Sequence, residues 1–147
     1  MTDDLLPQAS FCALLDELIP ARDASLAGAG SLGVGTHVEA KLGAAKPLVA
    51  SGLAALDALA RARGAVDFVD VAAEDRASLV SEVGASHPGF VESLVFHTYT
   101  AYYQNPAVTA AIGLEPRPPH PQGYELEPGD LGLLDAVRRR EKLYREV

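Results

Sequence analysis

Apolar residues recur along this chain at the spacing of an α-helix and nowhere alternate over a length that would make a strand. In Gln8–Ile19, residues Phe11, Leu14, Leu15, Leu18 and Ile19 follow the i, i+3, i+4, i+7 rule, with Ser10 expected to cap the start and Pro20 to end the helix. Pro47–Arg63 repeats the pattern through Leu48, Leu53, Leu56, Leu59 and Ala60, with Pro47 suited to a first turn and Gly64 to a C-terminal cap. Phe68 and Val71 lead into a third helix, Ala73–Val83, whose inward face is predicted to hold Ala77, Leu79, Val80 and Val83. Glu74 and Asp75 sit in its first turn, where the helix dipole favours negative charge. Gly89–Gln104, GFVESLVFHTYTAYYQ, is the most aromatic stretch and is apolar around most of its circumference, which predicts a central helix.

Shorter helices are expected at Thr36–Leu42 and from Pro106 to a stop at Gly113. A last one is expected over Asp130–Glu146, with Leu131, Leu134, Val137 and Tyr144 inward. The segment ARDASLAGAGSLGVG between the first two helices reads as a mobile or turn-rich connection. The 147 residues suffice for one domain with a real core, and the apolar share is rich in Ala, Leu and Val with no Trp. The expectation is an all-α single domain over residues 1–147. It is a bundle of about five to seven helices with a proline-rich extended arm, residues 115–130, before the C-terminal helix.

Charge narrows the partners. The formal net charge is −8, and Ala65–Asp135 holds eleven Asp or Glu against only Arg76 and Arg117, so nucleic acid is a poor partner. Val137–Val147 reverses the sign with Arg138, Arg139, Arg140, Lys142 and Arg145 against Glu141 and Glu146, a basic tail suited to an acidic face of its own domain or of a partner. Cys12 is the single cysteine, so an intramolecular disulfide and a Cys-based structural zinc site are excluded. Its place on an apolar stripe predicts burial. No run approaches the ~20 apolar residues of a membrane span. The N-terminal MTDDLLPQAS has acids where a signal peptide carries positive charge, so the chain as sequenced is expected in the cytoplasm.

Few residues point to chemistry. His37, His87, His97 and His120 form no close metal pair, and no metal site is expected. The glycines of GAGSLGVG lack the strand before and the GK[ST] after that a phosphate loop needs, and no GxSxG nucleophile turn is present. No catalytic residue is assigned. Tyr99, Tyr102 and Tyr103 lie three and four apart on the aromatic helix, with Tyr99 expected in the core and Tyr102 and Tyr103 available to a partner.

The segment EPRPPHPQGYELEPGD, Glu115–Asp130, holds five of the ten prolines and must run extended, because proline fixes φ and removes a backbone donor. Either it is a strap packing Tyr124 and Leu126 on its own helices, or it presents Arg117, Pro118, Pro119, His120 and Tyr124 to another protein at low ordering cost. The two readings are compatible.

The path from FVESLVFHTYTAYYQNPAVTAAIGLEPRPPHPQGYELEPGD to LGLLDAVRRREKLYR resembles the C-terminal half of the gluconate 2-dehydrogenase subunit 3 family, as a divergent soluble relative. The first helix, closing on LIP before ASLAGAG, is similar to that family's opening helix and its Ile-Pro turn. The resemblance implies a helical, non-catalytic accessory subunit or assembly factor that binds no cofactor itself. Its partner would be a large flavoprotein dehydrogenase carrying FAD and oxidising a sugar, sugar acid or alcohol. Typical members carry a twin-arginine export signal; without it, periplasmic location is expected only if a partner carries the chain there. A homodimer is left open. The alternative from the residues is a stand-alone binder or enzyme with a pocket near His97, lined also by Tyr99, Tyr103 and Arg117.

Overall fold

The computed structural model describes residues 9–23, 25–117, 123 and 125–141. Among the described residues there are seven α-helices and no strand, only an isolated bridge between Asp23 and Leu26. The chain divides into two compact units, Met1–Pro116 and Arg117–Val147.

The first unit holds helices α1 (Ala9–Leu18), α2 (Gly35–Lys41), α3 (Lys46–Ala62), α4 (Ala73–Ser86), α5 (Phe90–Tyr103) and α6 (Pro106–Ala111). Short 3-10 turns lie at Gly43–Ala45 and Phe68–Asp70. α3 packs on α4 and α5, α2 lies on α5, and α1 touches the turn at Phe68 as well as helices α2 to α5. The core runs through Phe11, Leu14, Leu53, Leu56, Phe68, Leu79, Phe90 and Leu94, all buried. Each such side chain contributes about 1.5–3 kcal/mol by leaving water, which sums to the main force holding the helices together.

Polar ties fix the helix ends to that core. Asp57 on α3 accepts from the Ser10 hydroxyl at 2.7 Å and from the Phe68 amide at 3.0 Å, joining α1, α3 and the 3-10 turn. Ser10 is therefore a buried residue inside α1 and not its cap. Arg76 lies over the Phe68 ring, its guanidinium carbon 6.0 Å from the centroid, and donates to the carbonyls of Val69 and Val71. α6 starts as its sequence dictates: the Asn105 side chain accepts from the Ala107 amide at 2.9 Å, and Pro106 occupies the first turn.

The glycine-rich connection after α1 is turn-rich and firmly tied. Asp16 accepts from both the amide and the hydroxyl of Ser31 at 3.0 Å, and the Ala29 amide donates to the Ile19 carbonyl at 3.0 Å. Gly30 lies against α1 so closely that a Cβ there would stand 1.9 Å from the Cys12 carbonyl oxygen, a space only glycine leaves open. Cys12 itself is half-buried where full burial is expected, because its side chain leaves the stripe formed by Phe11, Leu14 and Leu15. Likewise Ala77 is exposed, leaving Leu79, Val80 and Val83 as the buried side of α4.

In the second unit the Asp130 side chain accepts from the Gly132 amide at 2.9 Å and opens a 3-10 turn at Leu131–Leu134. This turn passes into α7 (Asp135–Arg138). α7 ends at Arg138, before the expected Glu146: after Val137 come three adjacent arginines, with Asp135 the one acid in the turn before them, paired with Arg138 at 3.2 Å. Residues 139–141, Arg-Arg-Glu, add no apolar side chain, and the single turn does not extend through them. Tyr144 and the end of the basic tail lie outside the described residues.

Among the described residues no single helix is long and apolar enough to cross a membrane.

Candidate functional site

α5 supplies the surface that best fits a functional role, and its geometry follows from the helical advance of about 100° per residue. Phe90, Leu94, Thr98, Ala101 and Tyr102 fall on one side and are buried. Glu92, Phe96, Tyr99 and Tyr103 fall on the opposite side and stay in water: Phe96 is 69% exposed, Tyr103 48% and Tyr99 45%, with Val95 beside them at 38%. Single exposed apolar residues need no explanation, but four neighbours on one helix face form a patch.

The patch is organised. The Tyr99 and Tyr103 rings lie 6.0 Å apart, tilted, and Phe96 meets His97 edge to face at 5.3 Å. Such aromatic pairs hold their rings in place before anything docks. Val91, Glu92, Val95, Phe96 and Tyr99 line an open hollow of about 490 Å³. A second hollow of about 360 Å³ shares Val91 and Glu92 with the first and continues over Leu18 and Glu17 of α1 and Ala77, Val80, Ser81 and Gly84 of α4.

The structure distributes the residues singled out in the sequence unevenly. Tyr102, expected to be available to a partner, is only 3% exposed, and its hydroxyl donates to the Ala27 carbonyl at 2.8 Å. It fastens α5 to the glycine-rich connection. Burial, and then the neighbouring Tyr103, push its phenol above the ordinary value of 10. Tyr99, expected in the core, is on the open side. The reason is angular: Tyr102 lies one turn from Thr98, on the same side as Leu94, whereas Tyr99 lies one turn from Val95 and Tyr103. Tyr103 is exposed as expected.

His97 is half-buried between the two sides of the helix. The hollow lined by Tyr99 includes neither His97 nor Tyr103, so it does not gather the proposed pocket set. Arg117 begins the second unit. Pro118, Pro119, His120 and Tyr124 lie outside the described residues. Among the described residues no group of three or more His, Cys, Asp or Glu side chains is placed to hold a metal ion. Val95, Phe96 and Glu92 were not singled out by motif or spacing. Phe96 stands about 200° from Leu94, and that angle is the signal that separates it from the core.

These features define a small all-α bundle protein with an aromatic outer face on one helix. The chain belongs to the gluconate 2-dehydrogenase subunit 3 family, whose pattern matches residues 8–117. The matched span covers the described part of the first unit and stops short of the proline-rich segment beyond Arg117, so the outer face of α5 lies within the family portion. No curated protein and no solved structure matches the chain.

Proposed function

We propose that this chain is a non-catalytic accessory subunit or assembly factor of a flavin-dependent dehydrogenase acting on a sugar, sugar acid or alcohol, and that it meets the large subunit through the outer face of α5. The observation that carries this reading is the exposed row Phe96, Tyr99 and Tyr103 inside the part of the chain that matches the family. Exposed aromatic clusters are the usual centre of protein interfaces, where large rigid rings bury much area at small entropic cost. On this reading FAD resides in the partner. The present chain stabilises the partner's folded state by binding it alone, or covers its apolar surface before assembly. Assembly begins in the cytoplasm, and the chain reaches the periplasm only in company with its partner.

The test is a tagged pull-down from the native host, followed by mass spectrometry and an absorbance scan of the eluate. Recovery of a large flavoprotein with a flavin spectrum, reduced at least about ten-fold by Phe96→Ser with Tyr99→Ser, supports the reading. A monomer or homodimer eluting without any flavoprotein overturns it and directs attention to ligand screening around His97.

A further inference from the structure

The two hollows share Val91 and Glu92 and together form a trough along α5; α4 and α1 wall its first stretch, and α5 alone lines the stretch over Val95, Phe96 and Tyr99. The walls differ in kind. α4 contributes Ala77, Ser81 and Gly84, spaced one turn apart, which bring little bulk and let another backbone come close, with Val80 as the one branched side chain among them. α5 contributes Val95, Phe96 and Tyr99, a flank of apolar and aromatic side chains able to grip residues spaced i, i+3/i+4, i+7 on an incoming helix. From Val91 to Tyr99 the α5 lining spans nine residues of helix, about 12 Å, a little over two helical turns.

The charge of the trough has one sign. Its charged lining residues are Glu17 and Glu92; no Lys or Arg lines either hollow. Glu17 lies 3.8 Å from Arg76, whose guanidinium is committed to the carbonyls of Val69 and Val71. Glu92 is exposed and has no ion-pair or hydrogen-bond partner among the described residues. Around it, residues 9–116 carry twelve Asp or Glu against six Lys or Arg.

We propose that the trough is a helix-in-groove site whose occupant is a cationic amphipathic helix of a partner protein, its apolar stripe seated against Phe96 and Tyr99 and a Lys or Arg beside Glu92. Charge complementarity selects this occupant. A second copy of the same face would bring another uncompensated Glu92 and another acidic surface, placing like charges together. The proposal rests on the subunit reading only for the owner of the helix; the groove and its preference for positive charge stand on the trough itself.

The test uses the full chain and two fluorescein-labelled 14-residue helical peptides with the same leucine pattern, one flanked by lysines and one by glutamates, followed by anisotropy at low salt. The lysine peptide is expected to bind saturably and at least about ten-fold tighter than the glutamate peptide. Glu92→Lys should abolish or invert that preference. Phe96→Ser should weaken binding at least about ten-fold while the helical circular dichroism stays unchanged. Absence of saturable binding, equal affinity for both peptides, or indifference to both substitutions overturns the proposal. So does a wild-type homodimer in sedimentation that Phe96→Ser dissolves, since a second copy would then cover the face. Peptide binding without capture of a flavoprotein removes the subunit reading and leaves the groove; capture of a flavoprotein without saturable peptide binding does the reverse.

Discussion

Tyr102 and Tyr103 are adjacent in the chain and their rings meet edge to face at 5.3 Å, yet one is sealed in the core and the other stands half in water. The same division runs the length of α5, with Leu94 against Phe96 and Thr98 against Tyr99. Composition cannot tell the two sides apart, because both are apolar and aromatic. Angular position does: the inner residues complete the core, in which α5 packs on α2 and α3, and the outer ones stay exposed. The difference teaches that a central helix, one that touches every other helix of its unit as α5 does, can still keep an apolar side in water, and that this surplus side is where association is to be sought.

The strongest way to break this division is to truncate one residue from each side. Leu94→Ala should cost about 2–5 kcal/mol in urea unfolding, the transfer and cavity terms together, whereas Phe96→Ala should stay within about 0.5 kcal/mol. Equal losses would mean that the two sides are not distinct. Next comes Gly52→Ala. A Cβ on Gly52 would stand 2.3 Å from the Phe90 ring, and the resulting strain should cost about 1–3 kcal/mol. The better helix propensity of alanine offsets up to about 1 kcal/mol of that loss. Combining it with Phe90→Leu should recover part of the remainder, which a double-mutant cycle would show.

A smaller effect separates the two tyrosines. Tyr102→Phe should cost about 1 kcal/mol by leaving the Ala27 carbonyl without its donor, while Tyr103→Phe should cost nothing measurable. Because burial raises the Tyr102 phenol, its contribution is complete below the ordinary value of 10 and is lost as pH climbs toward the raised folded value. Alkaline unfolding should therefore come earlier than for a chain whose tyrosines titrate normally. The smallest effect lies off both sides. Asp23 is held below the usual 3.8, first by the Ser25 hydroxyl and then by the Ser25 amide. Ser25→Ala should move its carboxyl titration upward in a carbon-detected NMR series. It should also lower melting slightly at neutral pH, where the contribution is present, and leave it unchanged in acid below the carboxylate range, where the contribution is already lost.

The helices were legible because their signals are local: Pro20 and Pro106 set boundaries, and the leucine rows of α1 and α3 have a clear period. Phe68 was recognised as a lead-in to α4, but its burial depends on Asp57 reaching across from α3, a contact eleven residues away that no window along the chain reveals. The glycine-rich connection is turn-rich as its residues predict, but its path was hidden for a similar reason. Its composition describes freedom in the unfolded chain, while its fixed path is set by Asp16 and by Tyr102, the latter 75 residues from its acceptor. The outer face of α5 could have been assigned only by knowing where the inner face points, which requires one of those distant contacts first. Attention to the proline segment was drawn by its composition, and four of its proposed contact residues, Pro118, Pro119, His120 and Tyr124, lie outside the described residues.

The close approach at Gly52 has a further consequence. The Phe90 ring fills the notch left by the absent side chain, and on either side of that notch α3 carries Leu48 and Leu56, which would obstruct the ring if α5 slid by a turn. The notch works as a keyway that indexes one helix against the other in both height and rotation. α5 cannot roll to trade its two sides, and its outer residues reach any visitor already aimed, so the entropy lost in arranging them is spent during folding and not at the moment of encounter.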